Sequence, residues 1–407
     1  MAALTSTGSD GTRRVFLHIG SPKSGTTFLQ QVLRNNAETL AEAGVLLPTG
    51  GHPQQYQAVW DLRGIPQDPG DPTPSREGAW DRLAAEVHAS DRPVTIISEE
   101  SLASLPPERI DRAVASLAPL ELHVVYTIRG LAGLLPSAWQ EYVKHRSPKR
   151  YRAWLEDVID GGPGVGAGRW FWSVHDAVAV LERWSRDIPA ERVHVITVPP
   201  PGSPRDLLWR RFAGVTGIDP DLADLSEAFG NESMGMAETE LVRRLNVALG
   251  DELPKWHFGQ VVKGVLAHEV LSRRQGKRRF SVPAPRRAWV RNRQQELVDG
   301  LRAAGYPVVG DLDDLLREPT WHAPTPPDDR EVLEAATDGL IGLVHEIVRL
   351  REENAELHGR IAELQRRPLH KTVVHRVSER NAMVMRMRVA YWHTVERIRR
   401  SETAEER

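Results

Sequence analysis

The segment that most limits what this chain can become is 14–35, where RVFLHIG runs into SPKSGTT and then FLQQVLRNN. The first run is apolar with β-branched character, which predicts a buried strand ending at Gly20. Phe28, Leu29, Val32 and Leu33 recur at helical spacing, which predicts a helix directly after the loop. Strand, glycine-containing loop and helix form the βα unit that opens many nucleotide-binding α/β domains. Gly20 and Gly25 bracket the loop, with Lys23 inside it and Thr26 and Thr27 following. A Walker loop would place a lysine directly after the second glycine; here that position is Thr26. The loop can still cradle an anion with backbone N–H groups and the helix N-terminus. Lys23 adds a positive charge from within.

The pattern continues downstream. VTIIS at 94–98, LHVVYTI at 122–128 and VHVITV at 193–198 read as parallel strands, with helices expected at 107–117 and 173–186. Such alternation predicts an α/β fold with a mostly parallel sheet flanked by helices. The stretch 50–74, rich in Pro, Gly and Asp, reads as a long loop near a substrate entrance. A chain of 407 residues is long enough to bury a sizeable core. It has no cysteine, which removes disulfides and thiolate metal sites from consideration. A net charge of −2 argues against bulk attraction to nucleic acid. No apolar run approaches the roughly 18 residues of a membrane span, and residues 1–14 carry no apolar leader. The expected location is therefore cytoplasmic.

SPKSGTTF resembles the phosphosulfate-binding loop of the sulfotransferase family, whose common form is Pro-Lys-Ser/Thr-Gly-Thr-Thr. A second match agrees with it. The strand at 122–128 ends in Arg129, and Ser137 follows eight residues later, as in the family. The resemblance covers roughly residues 13–320. It implies a sulfotransferase domain of P-loop NTPase-like fold, with 3′-phosphoadenosine 5′-phosphosulfate as co-substrate and no metal. By this resemblance Lys23, Ser24, Gly25, Thr26 and Thr27 hold the 5′-phosphosulfate, and Arg129 and Ser137 hold the 3′-phosphate. A guanidinium can grip phosphate oxygens in a fork while a hydroxyl takes another. NESMGMAETELVRRLN at 231–246 resembles the Asn-x-Ser helix start of carbohydrate-type and bacterial members, with Asn231 or Ser233 as cap. RRQGKRR, Arg273–Arg279, is an inexact counterpart of the segment that closes the 3′-phosphate site in cytosolic members.

The acceptor hydroxyl must lose a proton, so a base is needed beside it. Cytosolic sulfotransferases use a histidine after the strand at 94–98. Here IISEESL offers Glu99 and Glu100 instead. Ser98 and Glu100 share a face of an extended segment, opposite Glu99, which favours Glu100. His52, in the long loop, is the runner-up. Trp139, Gln140 and Lys144 are expected to face an acceptor such as a carbohydrate, a glycolipid or another small metabolite. Two other readings compete. A P-loop kinase would want the Walker lysine and a strand-end Asp. A degenerate nucleotide-binding scaffold would dimerise through its coil.

That coil follows a proline-rich linker at 319–330, which marks the expected end of the domain. Leu333, Leu340, Ile347, Asn354 and Ile361 fall on one heptad register, and Ala336, Leu343, Leu350, Leu357 and Leu364 on the other. Ile and Asn at a with Leu at d predict a parallel homodimer through 333–364, with Glu346 and Arg351 attracting across it. The coil is assigned to 331–367 and a basic helical tail to 368–407. The tail carries Met383, Met385, Met387, Tyr391 and Trp392 among its arginines and reads either as a solvated basic tail or as a helix that lies on an anionic membrane surface or polymer.

Overall fold

The computed structural model describes residues 12–51, 54–228, 233–319, 321 and 325–366. His52, Asn231 and the basic tail 368–407 lie outside the described residues.

Six strands form one parallel sheet in the order β2-β3-β1-β4-β5-β6. They are β1 Arg14–Gly20, β2 Val45–Leu46, β3 Val94–Ser98, β4 Glu121–Ile128, β5 Val193–Thr197 and β6 Val308–Val309. β1 is buried on both faces, as a strand covered by helices on each side must be. Its alternation decides which core each residue joins. Val15, Leu17 and Ile19 pack with Ile110, Leu181 and Trp184. Phe16 packs on the other side with Leu29, Val32, Trp209 and Phe212. His18 lies within β1, fully buried, with Nδ1 2.7 Å from Ser98 Oγ. Burial pushes its pKa down to about 3, so it stays neutral and ties β1 to β3.

The sequence reading missed β2 and β6, two-residue strands at the sheet edges that carry no periodic signal. Three further expectations are corrected. The stretch 50–74 contains the helix Gln54–Leu62, which buries Ala58, Val59 and Leu62. The helix expected at 173–186 is two helices, Gly166–His175 and Ala177–Trp184, divided where Asp176 accepts from Ala179 N and caps the second. The helix Met236–Leu249 starts behind Gly235, and Ser233 does not cap it.

The proline-rich stretch lies within the first of two compact units. The chain divides into units 1–340 and 341–407. The helix Asp329–Arg366 begins inside the first unit, where Val332 and Ala335 are buried. Asp329 pairs with Arg244 at 2.8 Å, Glu331 with Arg278 at 2.6 Å and Asp338 with Arg274 at 2.6 Å. In the second unit, residues 341–366 continue the helix, with Ile347, Leu350, Leu357, Ile361 and Leu364 exposed along it. Glu346 pairs with Arg349 of the same helix at 2.6 Å. Among the described residues no helix is long and apolar enough to cross a membrane.

Candidate functional site

Glycine sets the shape of the loop between β1 and the helix Thr26–Asn35. Gly20 and Gly25 have φ of 118° and 82°, where a side chain is strained. A Cβ at Gly25 would also run into Leu208 of the helix Leu207–Thr216. Lys23 itself takes φ 63°, an uncommon choice for a residue with a side chain. The loop is tied to β4: Ser21 N donates to Thr127 O at 2.8 Å, and Thr127 Oγ1 donates to Gly20 O at 2.9 Å. Ser24 is fully buried, its hydroxyl 2.7 Å from that of Ser21. In this structure its side chain braces the loop. Thr26 is buried too, whereas Thr27 is exposed. The first N–H groups of the following helix lack intrahelical partners, as at any helix start.

Arg129 follows β4. Solvent reaches its side chain, yet protein atoms crowd it. That crowding, and next the charge of Arg279, hold its guanidinium below the usual range. Among the described residues neither Arg129 nor Arg279 has a hydrogen-bond or ion-pair partner. Arg279 belongs to the segment 273–279 singled out in the sequence.

The helix Leu131–Lys144 presents Gly133, Ser137 and Glu141 one turn apart on one face. Arg129 covers the first: a Cβ at Gly133 would lie 2.9 Å from its guanidinium. Ser137 Oγ donates to Gly133 O at 2.9 Å. Lys23 Nζ reaches the third, 2.7 Å from Glu141 Oε2. At a rise of about 1.5 Å per residue, the stripe from 133 to 141 is about 12 Å long. Two cationic stations, the Arg129–Arg279 pair and Lys23, thus bracket Ser137.

Glu141 holds more than Lys23. Lys263 Nζ lies 2.9 Å from Oε1, His145 Nε2 3.1 Å from Oε1, and Lys144 Nζ 3.8 Å from Oε2. Burial alone would raise the Glu141 pKa, but Lys23, His145, Lys263 and Lys144 outweigh it and hold it well below the carboxylate range. Burial pushes Lys144 the other way, down to about 8, although Glu141 partly supports its charge.

The two adjacent glutamates sit in different surroundings. Glu100 adjoins the loop, since a Cβ at Gly20 would lie 3.3 Å from Glu100 Cβ. Gln30 Nε2 donates to Glu100 Oε2 at 2.9 Å and to Ser98 O at 3.2 Å, which fixes the strand end against the helix after the loop. Glu99 is buried and accepts from Ser101 Oγ at 2.9 Å, starting a short 3₁₀ turn. Burial first, and then the Glu100 charge, push its pKa up to about 8.

Two expected acceptor residues do not face a mouth. Trp139 is 2% exposed, packs against Tyr151 and Phe280, and donates from Nε1 to Lys149 O at 3.0 Å. Gln140 is buried and donates to Met234 O at 2.7 Å. Both hold the helix in place. Sequence reasoning missed Gln30, Glu141 and Lys263. Glu141 had a signal, since it lies one helical turn beyond Ser137.

No protein-family model matches the chain, and no curated protein matches it. Among solved structures, a sulfotransferase from Alicyclobacillus acidocaldarius is similar to it at 17% identity with a TM-score of 0.37, over 62% of this chain and 96% of that one.

Proposed function

We propose that the chain is a sulfotransferase that moves a sulfuryl group from 3′-phosphoadenosine 5′-phosphosulfate to an acceptor hydroxyl. The observation that carries this reading is the pair Arg129 and Arg279, charged and without protein partners among the described residues, beside Ser137. Two guanidiniums crowded together repel, and an anion between them relieves that cost. The glycine-shaped loop with Lys23 supplies a second anion site about two helical turns away along one helix face. A nucleotide with phosphate at both its 3′ and 5′ positions has that pattern of charge. A nucleoside triphosphate has nothing to offer the first station.

In the proposed reaction the acceptor oxygen attacks sulfur, and the bond from sulfur to the bridging oxygen breaks. The electron pair stays on that oxygen, where Lys23 offsets the charge. The hydroxyl proton passes to Glu100, a carboxylate beside the loop that is not engaged with lysines. Glu141 suits that role poorly, because its ion pairs make it a weak base. Glu99 suits it poorly because it is buried against Ser101.

The exposed apolar residues of 341–366, together with Asn354 in the heptad pattern, support a second proposal: this helix pairs in parallel with a second copy. The acceptor reading is tested first at the donor. Calorimetry should show 3′-phosphoadenosine 5′-phosphate binding at least tenfold more tightly than ATP. Equal affinities would overturn the assignment.

A further inference from the structure

The stripe on the helix Leu131–Lys144 does not stop at Lys23. One turn beyond Ser137, Glu141 gathers Lys23, and the helix end adds Lys144 and His145. Lys263 joins from the segment Gly259–Val270, its Nζ also 2.8 Å from His145 Nε2. His268 of the same segment faces the group, its pKa pushed down to about 4 by burial and then by Lys144, so it adds no charge near neutral pH. Three ammonium groups therefore share one carboxylate. Lys144 is only 6% exposed and Glu141 is crowded, so the surplus positive charge is held with little help from water. Lys263 and His145 are the solvent-facing members, with side chains 30% and 60% exposed.

Position decides what the surplus is for. On the reading proposed above, on which this inference rests, the donor runs from Arg129 and Arg279 toward Lys23. Lys144, His145 and Lys263 lie at the opposite end of the stripe from Arg129. Displacement at sulfur or phosphorus is in line, with the attacking oxygen opposite the leaving oxygen. What lies beyond Lys23 is therefore the acceptor's side. Once Lys23 turns to the donor, Glu141 still balances only one of Lys144 and Lys263. We infer that this cluster binds an acidic group of the acceptor, so that the substrate class is an anionic molecule carrying its hydroxyl near a carboxylate or phosphate. Lys263, open to solvent and close to Glu141, is the specificity-determining residue. A neutral acceptor would leave one of these two ammonium groups without a counter-charge.

The test uses the full chain saturated with 3′-phosphoadenosine 5′-phosphate and titrated calorimetrically with methyl β-glucuronide, glucose 6-phosphate and methyl β-glucoside. At least one of the two anions should bind tenfold or more tightly than the glucoside, and which one does so distinguishes carboxylate from phosphate. Lys263→Gln should weaken that anion about tenfold, and Lys263→Arg should restore most of the loss. Lys263 is on the surface, so neither variant threatens folding. Equal binding of all three sugars, no binding of either anion, or an anion preference untouched by Lys263→Gln would each overturn the proposal. If the nucleotide itself fails to bind, the donor reading fails and takes this inference with it. Nucleotide binding without anion selectivity sinks the acceptor class alone.

Discussion

Lys23 Nζ and Glu141 Oε2 are 2.7 Å apart, so the loop lysine is already occupied when no donor is present. On the proposed reading, donor binding draws Lys23 off this carboxylate. Glu141→Gln should therefore tighten 3′-phosphoadenosine 5′-phosphate by several-fold, an effect that shrinks as salt rises. The same change leaves the neighbouring lysines facing one another and should lower the melting temperature. Calorimetry at two ionic strengths, with a thermal melt of the variant, checks both halves. Unchanged affinity would mean that Lys23 does not meet the donor.

The two arginines make a sharper claim. Each charge-assisted hydrogen bond to phosphate contributes about 1.5–3 kcal/mol. Arg129→Met or Arg279→Met should thus weaken 3′-phosphoadenosine 5′-phosphate roughly 10–100-fold. Adenosine 5′-phosphate, which lacks the 3′ group, should change by less than about threefold. A parallel loss for both nucleotides would place the arginines elsewhere than at a 3′-phosphate.

Glu100→Gln keeps shape and removes the basic lone pair. Turnover should fall about 10²–10⁴-fold, the usual worth of a positioned base, with donor affinity nearly constant. A single-turnover assay with labelled donor reads this directly. Near wild-type turnover would move the base to another residue, and His52→Asn is the variant to examine next.

Glu99 predicts a pH dependence of stability. Its folded pKa, about 8, lies above its ordinary value of 4.5, so the folded state keeps the proton longer than the unfolded one. Its contribution is complete below about pH 4.5 and is lost as pH climbs through about 8. Glu99→Gln removes this dependence. The variant should melt higher than wild type at pH 8.5 and about level with it at pH 5. Parallel melting curves across that range would show that Glu99 is ionised throughout.

How the sequence conveyed this architecture depended on the range of each interaction. β1, β3 and the helix Pro107–Leu117 were legible because their signals, apolar runs and a proline at the helix start, are local. The loop and Arg129 were legible through spacing. Trp139 was misread because an aromatic residue near a site looks the same in sequence whether it faces solvent or, as here, packs on Phe280. Lys263 was not legible, since its partner Glu141 is 122 residues away and nothing local marks the pair. Prolines punctuate a chain without saying whether the next helix leaves the domain. Val332 and Ala335 stay on it.

That burial sets where the chain can be cut. Ending it after Leu340 should keep the first unit folded and abolish any pairing through 341–366. Ending it after 327 also strips Val332, Ala335 and three ion pairs from the domain and should lower the melting temperature by several degrees. Sedimentation of the full and Leu340-terminated chains gives the oligomeric state. Equal masses would show that the helix does not pair.

β1 meets β3 through Arg14 and Val94, and meets β4 through Arg14 and Glu121, so the sheet's centre joins segments about 80 and 107 residues apart. The candidate site gathers 20–27, 99–100, 129–141 and 263–279, each from a different part of the chain. Synthesis on the ribosome therefore completes most of the domain before the last arginine of the site emerges. The nascent chain cannot assemble this constellation until the segment 263–279 has emerged, so the candidate site closes late in folding rather than serving as its nucleus.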